Sequence, residues 1–86
     1  MSYQVIIPKT VQKEIDKLPK NVQESIIQGL LALKENSRPP NSLKMKNSQG
    51  YRLRMGDYRV LYDINDQNQT VTLRRVGHRK NIYREK

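Results

Sequence analysis

Apolar residues in the first half of the chain recur with the periods of one short strand and two helices. The β-branched run at residues 3–7 predicts a first strand. Pro8 stands where a helix can begin, and Pro19 ends the helical spacing of Val11, Ile15 and Leu18. A longer stripe predicts a second helix that ends near Asn36, with an apolar face made of Val22, Ile26, Ile27, Leu30, Leu31 and Leu33.

The second helix carries a start signal of its own. Asn21 is a favoured N-cap residue, and Glu24 three positions later completes a pattern similar to a capping box. After the helix, Pro39 and Pro40 predict a loop, because a proline pair cannot continue a helix. Two consecutive helices joined by a tight turn indicate an antiparallel helical hairpin.

The second half of the chain has the two-residue period of a β-sheet. Strands are expected at 51–55, 58–64 and 69–76. Gly56-Asp57 supplies a two-residue hairpin turn between the first two, and the polar residues 65–68 supply the next turn. The order β-α-α-β-β-β predicts an α+β fold in a single domain over 1–86. In this fold the helical hairpin packs on one face of an antiparallel sheet, and a short tail follows Gly77.

The hairpin turn fixes which side chains face each other across its strands. With Gly56-Asp57 as the turn, Arg54 lies directly opposite Arg59. One face then holds the apolar side chains that the helices should cover, namely Tyr51, Leu53, Met55, Tyr58, Val60, Tyr62, Val71 and Leu73. The other face holds Arg52, Arg54, Arg59, Leu61, Thr72, Arg74 and Val76. Arg59 is thereby expected between Arg54 and Arg74, on three adjacent strands.

Positive charge is concentrated in this second half. The net charge is +9, of which residues 1–43 carry +2 and residues 44–86 carry +7, including seven of the eight arginines. Such a balance indicates a polyanionic partner, which is nucleic acid, an acidic protein or an anionic membrane. No apolar stretch is long enough to span a bilayer, and the N-terminus lacks a signal-peptide core, so a cytoplasmic location is expected. With no Cys and one His, no metal or other cofactor is predicted.

Arginines held side by side on a sheet repel one another unless an anion lies between them. Binding of an external anion is one interpretation, and extension of the arginines into solvent or along Leu61 and Val76 is the other. In the tail, His78 is suited by its residue type to proton transfer near neutral pH, although a lone histidine is equally often incidental. Tyr83 is either a base-stacking group or a hydrophobic clip. Candidate RNA-binding residues are Arg74, Lys44, Lys46 and Lys80.

Three segments of the second half carry a resemblance to a known family. They are Tyr51-Arg52-Leu53-Arg54, then Gly56-Asp57-Tyr58-Arg59-Val60-Leu61-Tyr62, and finally Leu73-Arg74-Arg75-Val76-Gly77-His78-Arg79. In these segments, and in the order and length of its elements, the sequence resembles the RelE/ParE superfamily of bacterial and archaeal toxins. The RelE-like branch is the better match.

The resemblance implies an activity. Toxins of the RelE branch are endoribonucleases that cleave messenger RNA in the ribosomal A site, and a RelB-like antitoxin would be the partner. The ribose 2′-hydroxyl attacks the adjacent phosphate without a metal and leaves a 2′,3′-cyclic phosphate and a 5′-hydroxyl. By the same resemblance, Arg59 and Arg79 would stabilise the charge on the phosphate, and Arg52 and Arg54 would orient the RNA. His78 or Tyr83 would carry protons.

Two other functions remain open at the level of sequence. The ParE branch shares the fold but acts on DNA gyrase, which would make the chain a binding protein rather than an enzyme. A plain RNA-binding module would show affinity with a strong salt dependence and no cleavage product. The expected convergence of Arg54, Arg59 and Arg79 favours the nuclease over both.

Overall fold

Five strands and three helices lie in the parts of the chain that the computed structural model describes, residues 2–44 and 50–82. In chain order they are β1 (Gln4–Ile6), α1 (Lys9–Asp16), α2 (Lys20–Glu35), β2 (Ser42–Lys44), β3 (Tyr51–Met55), β4 (Tyr58–Asn65), β5 (Thr70–His78) and α3 (Arg79–Ile82). The predicted α+β order is confirmed, with β2 and α3 as additions. A strand of three residues is too short to show an alternating pattern, so β2 was not predicted.

The strands form one sheet in the order β1-β5-β4-β3-β2. Neighbouring strands run antiparallel as predicted, except that β1 runs parallel to β5, with Val5 opposite Val71. The hairpin register is confirmed residue by residue, since Arg54 lies opposite Arg59 and Leu53 opposite Val60. No helix within the described ranges has the length and apolar character needed to cross a bilayer.

The start of α2 differs from the prediction that Asn21 is its N-cap. The helix begins at Lys20, and Pro19 occupies the cap position with a φ of −55° and an extended ψ of 149°. The Pro19 carbonyl accepts the backbone N–H groups of Val22 and Gln23 at 3.0 and 2.9 Å. Proline therefore starts the helix two residues earlier than a cap at Asn21 would, and Asn21 lies inside the first turn.

The core lies between the helices and one face of the sheet. Its sheet side is made of Leu53, Val60, Tyr62, Val71, Leu73 and Val76, and its helix side of Val11, Ile15, Ile26, Leu30 and Leu33. The apolar face predicted from the hairpin is confirmed, with Tyr51 and Met55 packed at its margin. At Gly29 of α2, the end of the Met55 side chain fills the place that a Cβ would take.

A β-bulge between Leu61 and Tyr62 shifts the register of β5 against β4. Tyr62 lies opposite Leu73, but Leu61 lies opposite Arg75, so β5 has one extra residue at this point. The shift turns Val76 to the helix side, where it is 2% exposed opposite Val60. The predicted place of Val76 on the basic face is therefore wrong, because that prediction assumed an uninterrupted ladder.

Glu14 of α1 covers the edge of β5 that β1 does not reach. β1 pairs only with residues 70–72 of β5. Farther along, the Glu14 carboxylate accepts the Val76 backbone N–H at 2.9 Å and the Arg75 Nε–H at 2.7 Å. The side chain thus satisfies an edge donor of the sheet and fixes α1 to β5.

Candidate nucleic-acid interface

Arg54 and Arg59 form the centre of the face that the helices leave open. They lie directly opposite each other on β3 and β4, which places their Cβ atoms about 5 Å apart. On the next strand Arg59 faces Gly77, and the prediction that it faces Arg74 is wrong. The β4–β5 turn lies one residue later than predicted and the bulge adds one residue to β5, so the register of β5 against β4 is shifted. Beside Arg59, β5 therefore contributes only the backbone of Gly77.

Arg59 is held rigidly under this surface. It is 6% exposed, and its Nη1 donates to the carbonyl oxygens of Gly56 at 2.6 Å and Tyr58 at 3.0 Å. Gly56 has a φ of +62°, a conformation that glycine adopts without the strain of a Cβ, and this turn brings the two carbonyls to the guanidinium. A buried cation that is hydrogen-bonded in one position is preorganised for an incoming anion.

Arg54 is exposed, and its backbone is fixed from both sides by Asn41. The Arg54 N–H donates to the Asn41 carbonyl at 3.1 Å, and Asn41 Nδ2 donates to the Arg54 carbonyl at 2.8 Å. Arg38, Arg74 and Arg75 form ion pairs with Asp66, Asp63 and Glu14, and Arg54 has no carboxylate partner within residues 2–44 and 50–82. The carboxylates of the described chain therefore leave the Arg54 charge uncompensated.

Arg79 reaches the same turn from the other side. Its backbone N–H donates to the Asp57 carbonyl at 2.8 Å, which holds the first residue of α3 against the hairpin turn. The Arg79 side chain is exposed. The turn at Gly56-Asp57 thus binds both the guanidinium of Arg59 and the backbone of Arg79.

Arg52 lies two residues from Arg54 on the same face, between Leu43 on β2 and Leu61 on β4. It is half-buried. Pro40, Asn41, Ser42 and Leu43 form a cleft of about 230 Å³ with Arg52 and Arg54. Sequence reasoning missed this wall because β2 is short, and the run Ser42-Leu43-Lys44 carries no pattern that reveals its place beside β3.

The structure separates several other predicted site residues from this group. His78 lies opposite Tyr58 on the helix side, with the two rings edge to face and their centroids 5.3 Å apart. Arg74 is the extra residue of the bulge, and it pairs with Asp63 at 3.7 Å. Lys44 lies opposite Tyr51 and so shares the helix side of the sheet.

The remaining predicted residues are Lys80, Lys46 and Tyr83. Lys80 is exposed in α3, and its backbone N–H donates to Nδ1 of His78 at 3.2 Å. Lys46 and Tyr83 lie outside the described residues. Of the ten predicted residues, Arg52, Arg54, Arg59 and Arg79 are the ones that the described structure gathers at the open face and its turn.

A second polar cluster lies at the opposite end of the sheet. Arg38 Nη2 pairs with Asp66 at 3.0 Å, and Arg38 Nε donates to the Tyr51 hydroxyl at 2.9 Å. The Tyr3 hydroxyl donates to the same carboxylate at 2.7 Å. The hydrogen bond from Arg38, supported by that from Tyr3, lowers the pKa of Asp66. These contacts join the N-terminus, the loop after α2 and the β4–β5 turn, so they are structural.

Known proteins share this fold and these motifs. A family model described as "ParE toxin of type II toxin-antitoxin system, parDE" matches residues 5–83. The chain is also 33% identical to Toxin RelG of Mycobacterium tuberculosis over 88 aligned positions, which cover 98% of this chain and 99% of the relative. The chain belongs to the RelE/ParE toxin superfamily, in its RelE-like branch.

Other relatives of this toxin agree. Toxin RelE3 of Methanocaldococcus jannaschii is 34% identical to this chain, and the alignment covers 92% of this chain and 93% of RelE3. The toxin is also similar to the archaeal RelE–RelB complex from Pyrococcus horikoshii OT3, with 28% identity, a TM-score of 0.82 and coverage of 92% and 97% of the two chains. The family expected from the Gly56–Arg59 hairpin is confirmed, and the protein is the toxin of a type II toxin–antitoxin system.

Proposed function

We propose that this toxin is an endoribonuclease that cleaves messenger RNA on the ribosome and thereby inhibits translation. The arrangement of Arg54 opposite Arg59, with Arg79 attached to the same turn, supports the proposal. It places the exposed guanidinium of Arg54 beside the buried, hydrogen-bonded guanidinium of Arg59, at the turn to which the backbone of Arg79 is bonded. Guanidinium groups match the geometry of a phosphate and keep their charge at any physiological pH.

The reaction is an attack of the ribose 2′-hydroxyl on the adjacent phosphorus. The bond from phosphorus to the 5′-oxygen breaks, which gives a 2′,3′-cyclic phosphate and a 5′-hydroxyl. Negative charge builds up on the phosphoryl oxygens in the transition state, and Arg59 and Arg79 stabilise it. Preorganised donors of this kind typically contribute about 10²–10³-fold each. Arg52 and Arg54 orient the RNA backbone and the attacking hydroxyl.

Proton transfer needs a group other than these arginines, because a guanidinium stays protonated. Of the two candidates, His78 lies on the helix side of the sheet, behind the arginine pair. We therefore assign the proton-carrying role to Tyr83. This part of the proposal rests on the resemblance to RelE-like enzymes and on the position of Tyr83 in the sequence.

The test is cleavage of messenger RNA on programmed ribosomes, mapped by primer extension. Arg54→Ala should lower the cleavage rate about 100-fold. Lys13→Ala, which removes the same charge from an exposed position on α1, should cleave at the wild-type rate. A rate for Arg54→Ala within twofold of the wild type, or products without a cyclic phosphate end, would contradict the proposed function.

The partner that we propose is a RelB-like antitoxin. The similar toxin of Pyrococcus horikoshii is seen in complex with RelB. A domain of charge +9 favours an acidic, amphipathic partner segment. Co-expression with the neighbouring gene should yield a stable complex, and recovery of the toxin alone would contradict this assignment.

Inhibition of DNA gyrase is the second candidate, because the matching family model takes its description from ParE. A ParE-like toxin would inhibit DNA supercoiling without producing cleaved RNA. Supercoiling and ribosome cleavage assays on the same preparation separate the two functions. Supercoiling inhibition that survives Arg54→Ala would favour the gyrase-directed function.

A further inference from the structure

One apolar side chain stands exposed among the arginines of the open face. Leu43 on β2 is 57% exposed and lies directly opposite Arg52 on β3. With Pro40 it forms the apolar wall of the 230 Å³ cleft whose other side is made by Arg52 and Arg54. An apolar group at this place makes no contribution to phosphate binding, so it calls for a different ligand group.

The cleft wall is fixed by hydrogen bonds of the loop before β2. Ser42 donates to the Pro39 carbonyl through both its backbone N–H, at 2.9 Å, and its hydroxyl, at 2.7 Å. Asn41 is bound to the backbone of Arg54 by the two hydrogen bonds described above. Pro40 and Leu43 are therefore held at a set distance from Arg54, and the cleft exists before any ligand arrives.

Single-stranded RNA offers the matching combination of groups. Its phosphates alternate with flat bases, and each base has an apolar face that packs against protein side chains once it is unstacked. The cleft, with a volume of about 230 Å³, has room for one planar ring. The charge of the arginines on its other side selects a ligand that carries an anion next to that ring.

We propose that this cleft is a nucleobase subsite, in which Leu43 and Pro40 contact the base of a nucleotide that flanks the phosphate held by Arg54. The inference rests on the proposed nuclease function and adds to it a group that positions the substrate. Leu43 touches the base and not the reacting atoms. It therefore places the scissile phosphate through the nucleotide next to it.

The experiment measures cleavage efficiency on programmed ribosomes, as the ratio of the maximal rate to the half-saturating toxin concentration. Leu43→Ala should lower this ratio about three- to tenfold, because part of the apolar contact with the base is lost. Leu43→Tyr should keep or raise it, since an aromatic ring stacks on a base better than a leucine does. The matched control is Leu31→Ala, a leucine of similar exposure (51%) on α2.

Messenger RNAs with one abasic nucleotide, placed in turn on either side of the cleaved bond, identify the contact. At one of these positions the wild type and Leu43→Ala should cleave with equal efficiency, because the base that Leu43 would contact is missing. The subsite would be overturned if Leu43→Ala lost the same factor in cleavage efficiency on intact RNA and at every abasic position. It would also be overturned if Leu43→Ala cleaved intact RNA as efficiently as the wild type.

The result for Arg54→Ala distinguishes a failure of this inference from a failure of the proposed function. If Arg54→Ala loses cleavage and Leu43→Ala does not, the nuclease assignment stands and the subsite falls. If Arg54→Ala cleaves normally, the nuclease assignment itself fails. If Leu43→Ala weakens only the antitoxin complex and leaves cleavage intact, the cleft binds a protein side chain and the nucleobase assignment is overturned.

Discussion

Replacement of Arg59 by methionine should separate its role in cleavage from its role in folding. Methionine keeps a long, flexible side chain in the buried position and removes the charge. If Arg59 stabilises the phosphoryl oxygens, the cleavage rate should fall about 10²–10³-fold, which corresponds to about 2.7–4 kcal/mol of transition-state stabilisation. We expect the fold to survive this change, because the hydrogen bonds that are lost are offset in part by the desolvation of the cation that is avoided.

Two charge-assisted bonds join Nη1 of Arg59 to the carbonyls of Gly56 and Tyr58. Each such bond is worth about 1.5–3 kcal/mol. Removal of the guanidinium also removes the desolvation of a buried cation, which offsets much of this loss. Gly56 lies in an exposed turn, where water can hydrate its carbonyl. We therefore expect the free energy of unfolding to fall by less than about 2 kcal/mol.

The assay pairs urea denaturation, followed by far-UV circular dichroism because the chain has no Trp, with cleavage on programmed ribosomes. Arg59→Lys adds a useful comparison. It keeps the charge but lacks the planar guanidinium that can bind a phosphate through two N–H groups, so it should cleave more slowly than the wild type and faster than Arg59→Met. A folded Arg59→Met variant that cleaves at the wild-type rate would refute the reasoning.

Three further predictions concern stability. Tyr62→Phe removes a buried hydroxyl that donates to the Ser37 carbonyl at 2.9 Å, so denaturant titration should show a loss of about 1–2 kcal/mol. Gly56→Ala forces a φ of +62° on a residue with a Cβ, and thermal unfolding should show a loss of about 1–2 kcal/mol. The pKa of Asp66 is lowered chiefly by Arg38, so its stabilising contribution is present above the unfolded pKa of about 3.9 and is lost as the pH falls through the lower folded pKa. Acid titration should therefore destabilise the wild type more steeply than Asp66→Asn, and parallel curves would contradict this.

The hairpin at the centre of the site could be predicted from sequence because its information is local. Gly56-Asp57 specifies a two-residue turn, and the turn alone sets Arg54 opposite Arg59. The alternation of residues 51–55 then assigns the two faces. The two helices could be predicted equally well, since an apolar stripe and two prolines mark their extent.

The place of β5 could not be predicted because it depends on features without a local signal. The four-residue turn occupies 66–69, one position later than expected, and ends at Gln69 with a φ of 54°. The bulge then adds one residue opposite Leu61. Each position before the bulge keeps its predicted face, as Val71 and Leu73 show. Each position after it changes face, which moves His78 away from the arginines.

The Glu14 carboxylate also opposes self-association of the chain through the edge of β5. An unpaired strand edge is a template on which a second copy of the same edge can add, and such growth leads to aggregates. By occupying the Val76 N–H, a helix side chain takes the position that an intruding strand would need. The domain thus protects from self-association the very strand that leads to Arg79.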